Sequence, residues 1–227
     1  STAAGVRQID SWHYRQRILS FFGRVNYDYK SKYLLSLVLR RDGYSKLPKD
    51  NRWGTFPGIS AGWVLSRENF MESCSNVLSY AKIRASYGAN GNVSGVLDAN
   101  GNVVTGLDYY TVQGSYGIMK DKDGKIVPNY NGKVPLMIND LPNPTMRWEK
   151  SYTFETGFDI GFLNNKYILN FTYYNRHTQD KFAEITLPSH SGVSSFLSNN
   201  GEVQNQGMEL ELTANVCVPK IGNLQLV

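Results

Sequence analysis

The chain has no run of 18 apolar residues, which excludes a helix long and apolar enough to cross a bilayer. Cysteine is scarce. Cys74 and Cys217 stand alone, and neither has neighbours at metal-ligand spacing, so neither a metal nor another cofactor is expected. Histidine is limited to His13, His177 and His190, all read as solvated loop residues. No His-Glu-x-x-His pair accompanies them, so an enzyme is not expected. The opening residues lack a basic start followed by an apolar stretch. They are therefore not a secretion signal, and the chain reads as a mature or truncated portion. The net charge is +5, but the basic residues are scattered rather than gathered into a stripe, which argues against a nucleic-acid partner.

Aromatic residues are abundant, at 13% of the 227 residues, with fifteen Tyr and four Trp. Tyr and Trp favour membrane–water interfaces. The hydrophobic fraction of 41% suits a soluble protein, and equally a membrane barrel, whose strands alternate apolar and polar residues.

Six or seven stretches show that alternation. In 21–29 Phe21, Val25, Tyr27 and Tyr29 oppose the mostly polar Phe22, Arg24, Asn26 and Asp28. In 33–42 Tyr33, Leu35, Leu37 and Leu39 oppose Leu34, Ser36, Val38 and Arg40. In 53–65 Trp53, Ile59, Ala61 and Trp63 oppose a glycine- and serine-rich face. In 78–90 Ile83, Ala85 and Tyr87 oppose Lys82, Arg84 and Ser86. The pattern is clearest in 148–162, where Trp148, Tyr152, Phe154, Phe158, Ile160 and Phe162 share one face. Glu149, Glu155, Gly157, Asp159 and Gly161 share the other. Tyr167, Leu169, Phe171 and Tyr173 then oppose Asn170 and Thr172, and Met208, Leu210 and Leu212 oppose Glu209 and Glu211. Residues 224–227 look like the start of another strand.

Short and long connections alternate along the chain, as in outer-membrane barrels, which have short periplasmic turns and long outer loops. Residues 30–32 and 163–166 are tight turns, and 67–77 is intermediate, with a helical turn around 68–70. Residues 91–147 and 177–204 are long. Strand directions follow. Tyr27, Tyr29, Tyr33, Trp63, Phe162 and Tyr167 fall at the periplasmic end of the apolar face. Trp53, Tyr87, Trp148 and Tyr173 fall at the outer end. Trp53 and Trp63 are about 34 Å apart along a strand. At a tilt of about 40° this is about 26 Å along the membrane normal, close to the apolar band of such barrels.

Arg24, Asn26, Arg40, Lys82, Arg84, Glu149, Glu155, Asp159, Asn170, Glu209 and Glu211 then line a lumen. There they either contact a plug and shape a solute path, or form solvated wall and pair across strands. Arg41 and Lys150 interrupt the apolar face at its outer end. They either contact lipopolysaccharide phosphates or snorkel to water. Tyr109, Tyr110, Tyr116 and Tyr130 in the long loop either stack on sugars or pack the loop. Asp98–Gly101 and Asp121–Gly124 resemble the start of a calcium loop, but the twelfth positions hold Tyr109 and Gly132, so turns explain them better. Cys74 and Cys217 are at least about 20 Å apart by strand count, beyond the reach of a disulfide.

Five segments together resemble the SusC/RagA-type TonB-dependent transporters of Bacteroidota: FFGRVNYDYKSKYLLSLVLRRDG (21–43), RWGTFPGISAGW (52–63), KIRASYGANGN (82–92), NPTMRWEKSYTFETGFDIGFLNN (143–165) and GVSSFLSNNGEVQNQGMELEL (192–212). The resemblance implies an all-β, antiparallel transmembrane β-barrel segment of about seven or eight strands, cut from a 22-stranded barrel and open in isolation. Residues 1–227 would all belong to that barrel domain, with the plug absent. It also implies an outer-membrane location, a SusD-like lipoprotein partner, TonB contact through the absent N-terminal part, and a glycan or peptide solute. A passive membrane barrel or adhesin and a soluble carbohydrate-binding β-domain are the other readings. A sheet closed on itself would favour the first, and two sheets packed face to face would favour the second.

Overall fold

The computed structural model describes residues 15–74, 77–93, 96–97, 103–105, 107, 111–120, 122–124, 135–193, 195–217 and 223–226. In chain order the strands are β1 (Ile18–Tyr29), β2 (Tyr33–Tyr44), β3 (Trp53–Val64), β4 (Leu78–Asn92), β5 (Val96–Leu97), β6 (Val103–Thr105), β7 (Ser115–Ile118), β8 (Leu136–Asp140), β9 (Glu149–Phe162), β10 (Tyr167–Thr186), β11 (Ser195–Cys217) and β12 (Asn223–Leu226). Eight of them form one antiparallel sheet in the order β1-β2-β3-β4-β9-β10-β11-β12. The ribbons β5-β6 and β7-β8 fill part of the long connection between β4 and β9. Strands β1 and β12 lie at opposite edges and do not pair, so the sheet does not close among the described residues. Among the described residues there is neither a closed small barrel nor a two-sheet sandwich.

The register turns the sequence alternation into two chemically distinct faces. Val25, Leu37, Ile59, Tyr87 and Phe154 are partners in turn across five strands. The adjacent row, Asn26, Ser36, Ser60, Ser86 and Glu155, points the other way. Leu37, Ile59, Phe154 and Leu210 are all more than a third exposed. A soluble monomer rarely tolerates an apolar surface this continuous. Lipid requires one, because it offers backbone groups no hydrogen bonds and favours an apolar exterior.

Tight approach explains one glycine on the polar face. A Cβ on Gly157 would strike the Phe171 carbonyl oxygen of the neighbouring strand. The 30–32 turn closes with the Lys32 amide donating to the Tyr29 carbonyl at 3.0 Å. Lys30 and Ser31 both adopt positive φ there, and the Ser31 amide donates to Asp28 Oδ1 at 2.6 Å.

The expected helical turn near 68–70 takes the form of two 3-10 segments, Leu65–Arg67 and Asn69–Cys74. Glu68 between them fastens three elements. Its carboxylate accepts from Lys32 Nζ at 3.0 Å and Trp63 Nε1 at 3.1 Å, while Arg67 donates to the Ser31 carbonyl at 3.1 Å. The Trp63 and Lys32 hydrogen bonds hold the Glu68 carboxyl below its ordinary pKa. A carboxyl lowered on folding contributes stability above its unfolded pKa and loses it as pH falls through the folded value. The protection of the Val64 amide, its exchange relative to the unfolded chain at the same pH, is therefore expected to hold at neutral pH and to fall only below the ordinary carboxylate range. In Glu68→Gln the protection should be lower at neutral pH already. The same protection at every pH in both proteins would contradict the clamp.

The largest departure from expectation concerns 177–204, read from sequence as a loop. β10 and β11 continue to Thr186 and from Ser195, 20 and 23 residues long. Strands of that length span about 70 Å, more than twice what the apolar band needs. His177 is accordingly a strand residue, and its Nε2 meets Glu202 on β11. Above the band neither face needs to be apolar, so the period-2 signal disappears while the strand goes on.

Candidate functional site: the polar face and the long-loop rim

The polar face carries a network of side chains supplied by alternate residues of each strand. Arg24 on β1 donates to Asn26 at 3.0 Å and to Ser36 at 3.1 Å. Arg40 pairs with Asp42 at 2.7 Å. Arg84 on β4 reaches across β9 to Asp159 at 3.4 Å and to Thr172 on β10 at 2.5 Å. Arg176 donates to Thr153 at 3.3 Å, and Asn170 to Glu211 at 3.4 Å. Arg84, Glu155, Thr172, Tyr174, Arg176 and Glu209 line one polar hollow. The Lys82 stem packs against Gly62, where an added Cβ would be 3.1 Å from its Cε. Most candidate lumen residues thus share one face, and Arg24, Arg84, Asp159, Asn170 and Glu211 pair across strands.

Glu149 shares their phase but does not line that face openly. It is 4% exposed and works inside the rim. Its two oxygens accept from the Phe182 amide at 2.7 Å and from Asn92 Nδ2 at 2.6 Å. β3 and β4 stay paired only from Gly58–Gly88 to Val64–Lys82. Beyond Gly58 they diverge, and a small apolar core fills the wedge: Tyr44, Leu47, Phe56, Met146, Trp148 and Phe182. A Cβ on Gly91 would run into the Phe56 ring.

Trp148 belongs to this core, which corrects its assignment to a lipid-facing belt. It is 5% exposed, lies 5.5 Å edge-on to Phe56, and its indole N–H donates to the Arg52 carbonyl at 2.9 Å. The parity of β9 does not extend to it, because the strand begins at Glu149.

A second set of residues, unmarked in the sequence, latches the β10–β11 arm to this rim. Asp180 sits at a bulge with φ 57°. Arg147 pairs with Asp180 at 2.6 Å. Asn199 exchanges two hydrogen bonds with the Arg147 backbone, at 3.0 and 2.9 Å, and donates to the Asp180 carbonyl at 2.6 Å. Asn143 donates to the Leu197 carbonyl at 2.8 Å. Their only sequence signal is the break in alternation at Gln179-Asp180-Lys181.

At the short-turn end of the apolar face Tyr29, Tyr33 and Trp63 stack in a row, with centroids 6.3 Å apart at each step. Phe162 and Tyr167 are partners farther along the sheet. Tyr27 is one row deeper, opposite Leu35. At the long-loop end Trp53 stacks on Phe21 at 6.2 Å. Tyr87 departs from the expected outer belt. It is the partner of Ile59 and Phe154, near the middle of β3, and stacks on Tyr152. Tyr173 is opposite Thr156 and Met208, also within the strands and not at their ends. Heights counted from strand ends assume equal strand lengths, and β4 and β10 run past their neighbours. Arg41 lies over the Trp53 ring at 5.5 Å, and Lys150 is opposite Gly91 and Gln179.

Tyr116 is 74% exposed on β7, not packed. Gly124, with φ 79°, forms an Asp-Gly turn with Asp123. Cys74 is free and exposed. His13, Tyr109, Tyr110, Tyr130, Asp121 and the 98–101 segment lie outside the described residues, as does the side chain of Cys217.

Residues 2–226 match the family model described as TonB dependent receptor-like, beta-barrel. The chain belongs to the TonB-dependent receptor family. The TonB-dependent receptor P3 of Formosa agariphila is 34% identical over 211 residues, covering 93% of this chain and 19% of P3. The TonB-dependent receptor SusC of Bacteroides thetaiotaomicron is 32% identical over 218 residues, covering 96% of this chain and 20% of SusC. The solved structure of the RagAB peptide importer in a closed-closed state matches with a TM-score of 0.73 at 26% identity, over 91% of this chain and 20% of that one. The chain therefore spans about a fifth of the length of the TonB-dependent receptors it matches. It is a SusC/RagA-type outer-membrane barrel segment.

Proposed function

We propose that this segment is barrel wall in a SusC-like importer of glycans or other oligomeric nutrients, which works with a SusD-like surface lipoprotein and draws its energy through TonB. The observation that carries the reading is the similarity to SusC along 96% of this chain, over a sheet with one apolar and one polar face. The named function of the RagAB importer makes peptides the alternative solute. The test is deletion of the gene that carries this segment, followed by growth on oligosaccharides and on oligopeptides as sole nutrient. Loss of growth on one class, with a lipoprotein co-purifying with the intact gene product, is expected. Normal growth on both and no co-purifying lipoprotein would overturn the reading.

In this reading Arg24, Asn26, Arg40, Lys82, Arg84, Glu155, Asp159, Asn170, Glu209 and Glu211 face the lumen, where their cross-strand pairs stiffen the wall beside the solute path. Arg41 and Lys150 contact lipopolysaccharide phosphates. The placement of Arg41 over Trp53 supports this, since a guanidinium held on a belt aromatic keeps its donors at headgroup height. Changing both to Glu is expected to raise sensitivity to large hydrophobic antibiotics at normal barrel yield. Unchanged sensitivity at that yield would remove the assignment.

A further inference from the structure

Three cations stand over aromatic rings among the described residues, and every one of those rings is on the lipid-facing side. Arg41 is at the long-loop end. The other two are at the opposite end: Lys30 Nζ is 5.3 Å from the Tyr29 ring centroid, and Lys166 Nζ is 5.8 Å from that of Tyr167. Each lysine belongs to a tight turn, 30–32 or 163–166, and each is exposed.

The nearby acids are already engaged. Asp28 accepts from the Ser31 amide, and Glu68 is taken by Lys32 and Trp63. Neither Lys30 nor Lys166 has a carboxylate within ion-pair distance among the described residues. By contrast Lys32, Arg40, Arg84 and Arg147 are paired with Glu68, Asp42, Asp159 and Asp180. The turn geometry fixes both lysines. Lys30 adopts φ 51°, and the three residues before Lys166 all have positive φ, with the Lys166 amide donating to the Leu163 carbonyl at 3.2 Å.

We infer that Lys30 with Tyr29, and Lys166 with Tyr167, are two seats for the phosphodiester of phospholipids in the periplasmic leaflet. The charge is complementary, and the position follows from the turns. An unneutralised ammonium sits above an interfacial ring, where the aromatic edge meets the glycerol region and the lysine meets the phosphate. Glu68 and Arg67 hold the first turn against β3 and so keep that seat fixed. The second turn is held as well: the Leu163 amide donates to the Val77 carbonyl at 2.9 Å and the Asn164 amide to Ser79 Oγ at 2.6 Å.

The test uses the full-length gene product in detergent, titrated with short-chain phosphatidylglycerol and read by native mass spectrometry. Heat-modified gel migration reports folding. Lys30→Gln with Lys166→Gln is expected to weaken the two tightest phospholipid steps by about fivefold per lysine, and Lys30→Arg with Lys166→Arg to retain them. Arg41→Gln, at the other leaflet, should leave both steps unchanged. Inorganic phosphate should compete poorly, because it lacks the acyl chains that place the headgroup. Equal phospholipid affinity in the folded Gln variant, or equal loss in Arg41→Gln, would overturn the assignment. So would full competition by inorganic phosphate, which would make the seats free-anion sites.

Discussion

Ile59→Arg is expected to destabilise the barrel by about 2–4 kcal/mol, the cost of a cation at mid-depth on a lipid face. Ser60→Arg, one residue along the same strand, is expected to cost less than about 1 kcal/mol. Ile59 is 47% exposed between the rows of Leu37 and Tyr87, midway along a strand that runs from Trp53 to Trp63. Ser60 is on the other face, between Ser36 and Ser86 and in the row of Glu155. A soluble surface would accept either arginine. Urea unfolding in vesicles, followed by tryptophan fluorescence, gives both numbers. Equal costs would mean that the two faces see the same solvent.

The second large effect concerns the rim. Trp148→Ala is expected to cost about 3–5 kcal/mol, as for any large aromatic removed from a packed core. The loss should be local, exposing 143–149 and the arm beyond Thr178 to protease while the wall below stays intact. Phe56 and Tyr44 lose the ring they pack on, and the Arg52 carbonyl loses its donor. Trp53→Ala, which removes a ring 41% exposed at the lipid boundary, should cost clearly less and leave the arm protected. If the two substitutions behave alike, Trp148 is a belt residue after all. Because Glu149 ties the same rim to the Phe182 amide, Glu149→Gln is expected to loosen the arm in the same direction, by less.

The contrast between these two tryptophans shows what the sequence could and could not reveal. Within the membrane the alternation is imposed by solvent on one side and lipid on the other. Strands, turns and faces were therefore legible to within a few residues, down to the short final strand that pairs with Ala214–Cys217. Above the band that constraint ends. Residues 179–186 and 195–204 continue as strand with no apolar period, so they read as loop. Trp148 kept the parity of its neighbours but stands just before the strand begins, where the divergence of β3 and β4 opened a pocket that no local pattern announces. The latch formed by Asn143, Arg147, Asp180 and Asn199 was invisible for a related reason. These are ordinary loop residue types, and only the bulge at Asp180 brings them together. On the polar face the sequence identified the residues but not their partners, since Arg84 reaches two strands away to Thr172.

The central claim is that one face of this sheet meets lipid and the other does not. It is tested most directly in β2, by placing single spin-labelled cysteines in turn at positions 34 to 39 of the full-length protein in lipid vesicles, with the native cysteines changed to serine. The polar-phase positions there include Leu34 and Val38, so hydrophobicity and orientation make different predictions. The account predicts a strict period of two. Collision with lipid-dissolved oxygen should peak at 35, 37 and 39, and collision with a water-soluble nickel complex should peak at 34, 36 and 38. Uniform access to nickel, or oxygen peaks at Leu34 and Val38, would contradict it.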